Sequence, residues 1–153
     1  MSIHIKPIIC YILALFTTLG CSADKLNLPE PAELVVGNYE AIDPGALLTL
    51  KGDRITLTVK RVTAELVDIK MQAFLNNQLV DSIRHERANV VLNVAQTSVK
   101  TGCVSPFVKL ASSGQLEELR SNCSEQGILT YTYGYIPAGQ QAAALINVKF
   151  KSL

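Results

Sequence analysis

Apolar and polar residues alternate with a period of two along much of the chain. Ile55, Leu57 and Val59 alternate with Arg54, Thr56, Thr58 and Lys60, the pattern of a strand with one buried face and one wet face. Just upstream, Ala46, Leu48 and Leu50 alternate too, and Lys51-Gly52-Asp53 supplies the Gly and Asp of a tight loop. Together they predict a hairpin over 46–60. Ala64 to Leu75 is rich in helix formers. There, however, Val67, Ile69, Met71 and Ala73 alternate with Asp68, Lys70 and Gln72, whereas on a helical wheel Lys70 would split the apolar face, so a strand is predicted. Asn76-Asn77 then turns the chain into a run from Leu79 to Arg84, and Val90, Leu92 and Val94 form the next.

Later in the chain, Ile128 to Ile136 and Ala144 to Phe150 flank the turn residues Pro137-Ala138-Gly139-Gln140, which predicts another hairpin. Its second strand sets Ile146, Val148 and Phe150 against Asn147, Lys149 and Lys151. Ser112-Ser113-Gly114 is a turn signal midway between Cys103 and Cys123. A symmetric hairpin there would place Cys103 opposite Cys123, Phe107 opposite Leu119 and Lys109 opposite Glu117, each a favourable cross-strand pair. Roughly 8 to 10 short hairpin-connected strands argue for an all-β domain, a small antiparallel barrel or sandwich.

The longest apolar run, Ile8 to Leu19, does not fit that domain. It is well short of the roughly 20 residues that a helix needs to cross a bilayer. It is also apolar all round, without the polar face of a core helix at a surface. Lys6 precedes it and no acidic residue appears before Asp24, the charge order of a secretory signal. The run ends in Thr17-Thr18-Leu19-Gly20-Cys21, which resembles the lipobox of bacterial lipoprotein precursors, with Thr18 where that family usually has Leu. The resemblance implies a signal peptide over 1–20, lipidation (palmitate among the acyl chains) at Cys21 and a membrane anchor. With Ser22 rather than Asp next, it also implies the outer membrane, facing the periplasm. Anchoring by several chains is stable, because each buried methylene contributes about 0.8 kcal/mol. The competing reading is ordinary cleavage after Ala23, since Cys21-Ser22-Ala23 has the small-x-small form of such a site.

Removing the signal changes the composition that matters. Lys6 is the one Lys or Arg before Cys21, so 13 acidic residues face the remainder of 14 basic ones and the mature chain is close to neutral. No basic block offers a surface for nucleic acid. Residues 21–33, with Pro29 and Pro31, read as a lipid-anchored tether, and 34–153 as a single β-domain. Cys10 leaves with the signal and Cys21 is lipidated or removed, so Cys103 and Cys123 remain, an even pair that predicts a disulfide in an oxidising periplasm. Closing that loop contributes about 3 kcal/mol in the chain-entropy model.

Few residues suggest chemistry. Tyr131, Tyr133 and Tyr135 alternate in "TYTYGY" and share one face of a strand, either a platform for a ligand or a barrel wall with hydroxyls at its rim. His85, within Arg84-His85-Glu86-Arg87, reads as part of a solvated turn between two strands. It has no second histidine for a metal and no nucleophile motif beside it, and no serine sits in G-x-S-x-G. No cofactor is expected. Gly37-Asn38-Tyr39 is loosely similar to the Gly-x-Trp opening of lipocalin-like barrels, which implies a carrier of small apolar ligands; the residues alone read as a glycine permitting close backbone approach. The expectation is a non-enzymatic binding or structural module of the envelope, with an envelope protein or polymer as partner. A lipocalin-like carrier is second and a hydrolase third.

Overall fold

The structure is a computed structural model that describes residues 29–93, 102–110, 116–136, 138–139 and 144–153. The signal and lipobox residues, Val94, the turn at Ser112-Ser113-Gly114, and Pro137 and Gln140 lie outside the described residues. Eight strands form a closed antiparallel barrel in which each pairs with the next in sequence and the last returns to the first. They are β1 (Gly37–Ala41), β2 (Arg54–Arg61), β3 (Leu66–Leu75), β4 (Gln78–Leu92), β5 (Pro106–Lys109), β6 (Glu117–Asn122), β7 (Glu125–Tyr135) and β8 (Ala144–Ser152). Closure leaves no free sheet edge where β1 and β8 meet, at Tyr39↔Ser152 to Ala41↔Phe150.

Alternation places the inner face. Ile55, Leu57, Val67, Ile69, Met71, Leu119, Val148 and Phe150 all point inward and are fully buried, so side chains fill the barrel as is usual at eight strands. Residues 66–75 are a strand, and Asn76 and Asn77 make the two-residue turn to β4 with φ of 51° and 63°. Asn tolerates this left-handed pair, whose twist matches a hairpin.

Four expectations need correction. Residues 46–50 form no strand: Asp43 caps a 3-10 turn over Pro44–Ala46 by accepting from Gly45 N–H, and Leu47 and Leu50, not Leu48, are buried. The partner of β2 on that side is β1. Gly52 is needed for close approach instead of a hairpin turn, because a Cβ there would lie 2.5 Å from the Phe74 carbonyl oxygen. Second, 78–92 is one strand, and His85 lies within it rather than in a turn. Third, the β5–β6 register is one residue from the symmetric one, with Phe107↔Arg120, Val108↔Leu119 and Lys109↔Glu118. Because sides alternate, that slip sends Val108 and Leu119 into the core together. Fourth, the packed unit starts before residue 34, since Pro31–Leu34 is a 3-10 turn whose Ala32 is buried and bonds through N–H to Ala64 O.

These features distinguish two ends. At the lower end, where β1 begins, the Pro31–Leu34 turn closes the barrel and Cys103 is bonded to Cys123, with Cα atoms 5.7 Å apart. The upper end, where β1 finishes, is covered in part by residues 44–50.

Candidate functional site

A cleft of about 260 Å³ opens at the upper end, lined by Thr49, Ile83, His85, Leu116, Glu117, Tyr131, Tyr133 and Gly134. Its polar side chains come from β4, β6 and β7. Glu117 shares the inner face with Leu119, and β7 presents Tyr133 and Tyr131 opposite those two residues.

His85 reaches the cleft because of a bulge. β4 pairs Ile69 with His85 but Val67 with Ala88, so an extra residue stands between them. Arg87 there has φ of 53°, and the Asp68 carboxylate accepts its N–H at 2.9 Å. Alternation read upward from Val90 and Ala88 would turn Glu86 inward; the extra residue turns His85 inward instead. The β4–β5 ladder is also short, from Val90↔Val108 to Leu92↔Pro106. Beside it, His85, Ala88, Phe107, Lys109 and Leu110 line a lateral opening, so His85 stands between that opening and the cleft.

The three groups at the floor are close. Tyr131 donates its hydroxyl to Glu117 Oε1 at 2.5 Å. His85 Nε2 lies 3.3 Å from the same oxygen, and the two side chains are 18% and 22% exposed. Distance alone makes this an ion-pair contact. The geometry does not make a hydrogen bond, because Nε2 is buried and has no hydrogen-bond partner among the described residues. The His85 contact is the main influence holding the Glu117 carboxyl below its ordinary range; burial opposes it and the Tyr131 hydroxyl assists it. Burial, then the adjacent Glu117 carboxylate, push the Tyr131 phenol far above its usual value. Glu117 is thus held as an anion and Tyr131 as a neutral donor.

The tyrosine run divides. Tyr131 and Tyr133 are buried, with ring centroids 5.4 Å apart, and Tyr133 ties the covering segment down by accepting from Leu48 N–H at 2.8 Å. Tyr135 continues the same face beyond the barrel and is 39% exposed. Around it the upper end exposes Ile42, Leu48, Ile136 and Leu145. Gly37, of the Gly-Asn-Tyr opening, is crossed by the Tyr39 ring, which a Cβ would meet at 3.1 Å.

Sequence reasoning missed Glu117 as a site residue. Its signal was available: a carboxylate in alternation with Leu119, facing a strand whose tyrosines alternate in step. Among the described residues no three His, Cys, Asp or Glu side chains gather to hold a metal ion, and no helix is long and apolar enough to cross a membrane. No protein family, curated protein or solved structure matches this chain.

Proposed function

We propose that this chain is an envelope lipoprotein, anchored by lipid at Cys21, whose barrel acts as a binding module through its upper end. One observation carries the reading. The barrel is filled along its length, whereas the upper end combines a polar cleft with exposed apolar side chains at Ile42, Leu48, Tyr135, Ile136 and Leu145. Exposed apolar side chains gathered at one place mark interaction sites in soluble domains. The filled interior weighs against the lipocalin-like alternative for any sizeable apolar cargo.

The chain enters the barrel at the lower end, through Pro31–Leu34. A tether of about ten residues from Cys21 spans at most about 33 Å, so an anchored barrel would hold its lower end nearer the membrane and offer its upper end to the periplasm. Two measurements test this. Mass spectrometry of the mature N-terminus should find acylated Cys21; an unmodified chain beginning at Asp24 would remove the anchor. A photo-crosslinking residue at Leu145, introduced into intact envelopes, should trap a discrete product that the same residue at Lys60 on the barrel wall does not. Identical products from both positions would remove the upper end as the binding surface.

A further inference from the structure

We propose that the upper cleft binds a small primary amine as its ammonium ion, with Glu117 as the counter-charge and His85 Nε2 as a second contact. The inference rests on the binding-module reading and names the chemistry of its ligand. Charge sets the class first. The cleft's floor carries one carboxylate, and the residues lining it include no Lys or Arg. A partly desolvated anion favours a cation and repels anionic ligands.

Hydrogen-bond capacity narrows the class. An ionised carboxylate accepts at both oxygens, yet Tyr131 and His85 both converge on Oε1. Oε2 has no hydrogen bond among the described residues. Beside it, Nε2 of His85 is buried and unbonded, a state that costs about 1 to 3 kcal/mol. One ammonium group has three donors on a single atom. It can give one N–H to Glu117 and another to Nε2 when the imidazole carries its proton on Nδ1. The ammonium then replaces the imidazole as counter-charge. A hydroxyl, with one donor, meets only one of these needs, and a quaternary ammonium meets neither.

Size and shape complete the description. The cleft, at about 260 Å³, falls just under the roughly 300 Å³ at which drug-sized sites begin, so a ligand of modest size fits. Ile83, Leu116 and the two tyrosine rings give its body an apolar wall, and rings near a cation add a further attraction.

Calorimetry on the full chain in detergent, with empty micelles as the blank, compares benzylamine, benzyl alcohol and trimethylbenzylammonium. Benzylamine should bind at least tenfold more tightly than either of the others. Glu117→Gln should abolish that preference while Glu117→Asp keeps it, with near-ultraviolet circular dichroism showing both variants folded. Equal binding of benzylamine and benzyl alcohol, or a preference that survives Glu117→Gln, overturns the ammonium assignment and leaves the upper end as a binding surface. No binding of any probe, with the Leu145 crosslink still formed, also overturns it and again spares the broader reading. Loss of the crosslink as well removes both.

Discussion

At the lower end of the barrel Tyr39 donates its hydroxyl to the Val35 carbonyl at 3.0 Å, and at the upper end Tyr131 donates to the Glu117 carboxylate at 2.5 Å. The same residue type, projecting inward from a strand, does two different jobs. Tyr39 meets a neutral backbone acceptor in the turn that closes its end, beneath a disulfide. Ser105 nearby donates to Ser121 O at 2.5 Å. The lower end is closed by groups that satisfy one another. Tyr131 meets an anion whose second neighbour, His85, is in range and out of line. Buried polar groups are nearly always bonded in native proteins, and exceptions gather where a chain does something besides fold. The contrast therefore assigns stability to the lower end and recognition to the upper.

The largest break in that comparison is removal of the disulfide. Cys103→Ser with Cys123→Ser should lower unfolding stability by about 3 kcal/mol, the loop-entropy value for a separation of 20 residues. Denaturant titration measures it, and the upper-end binding preference should persist under native conditions. Loss of binding in a variant that remains folded would show that the two ends are coupled.

Next come the two tyrosines. Tyr131→Phe takes a donor from a charged acceptor and should lower stability by about 1.5 kcal/mol, at the low end for such bonds because Glu117 is partly reached by solvent. Tyr39→Phe takes a donor from a neutral carbonyl and should lower it by about 1 kcal/mol. Thermal melts at neutral pH separate them. An effect at Tyr39 larger than at Tyr131 would contradict the anionic state of Glu117.

How these ends were legible in the sequence differs as well. β2, β7 and β8 could be read directly, because their inner residues are apolar and alternate without interruption from Ile55 to Val59 and from Ile146 to Phe150. The disulfide followed from the number and spacing of cysteines. β4 could not be read, because its alternation restarts at the bulge. Ile83 and His85 share the inner face with Ala88 and Val90, but they sit out of phase with them in sequence. The Asp68 carboxylate that bonds the bulge is 19 residues away, and no local pattern announces it. Arg84-His85-Glu86-Arg87 looked like a solvated turn for that reason. Three leucine-rich positions at 46–50 misled in the opposite way. Their alternation is too short to outweigh Pro44 and Gly45, and the buried pair is Leu47 and Leu50. Of the upper cleft, the tyrosines were visible and the partners that make them a site were not.

Acid provides a smaller test. The Glu117 carboxyl is held below its ordinary value in the folded chain. Its contribution is therefore fully present above the unfolded carboxylate range, near pH 4.3 for a free Glu, and is lost as pH falls through the lower folded value. Melting temperatures taken from about pH 6 to about pH 3 should fall more steeply for the wild type than for Glu117→Gln, in which this group does not titrate. Parallel curves would show that Glu117 gains nothing from its neighbours, and the asymmetry between the ends would go with it.

The smallest expected effect is the sharpest. If His85 Nε2 is buried and unbonded, then His85→Leu replaces a polar atom that has no partner with an apolar group of similar size facing Ile69 across the ladder. Removing such an atom relieves its desolvation, while the Glu117 contact that is lost was poorly aligned and partly exposed. Stability at neutral pH should stay level or rise, by no more than about 1 kcal/mol, and binding of benzylamine should weaken. Stabilisation at the expense of binding is the signature of a residue kept for function. A comparable substitution at the lower end, Ser105→Ala, removes a bonded hydroxyl and should destabilise by about 1 kcal/mol. Opposite signs at the two ends, read by denaturant titration of the two variants, would fix the division of labour. A loss of stability at His85 as large as that at Ser105 would mean that its nitrogen is bonded in solution and that the upper end, too, is built to hold the barrel together.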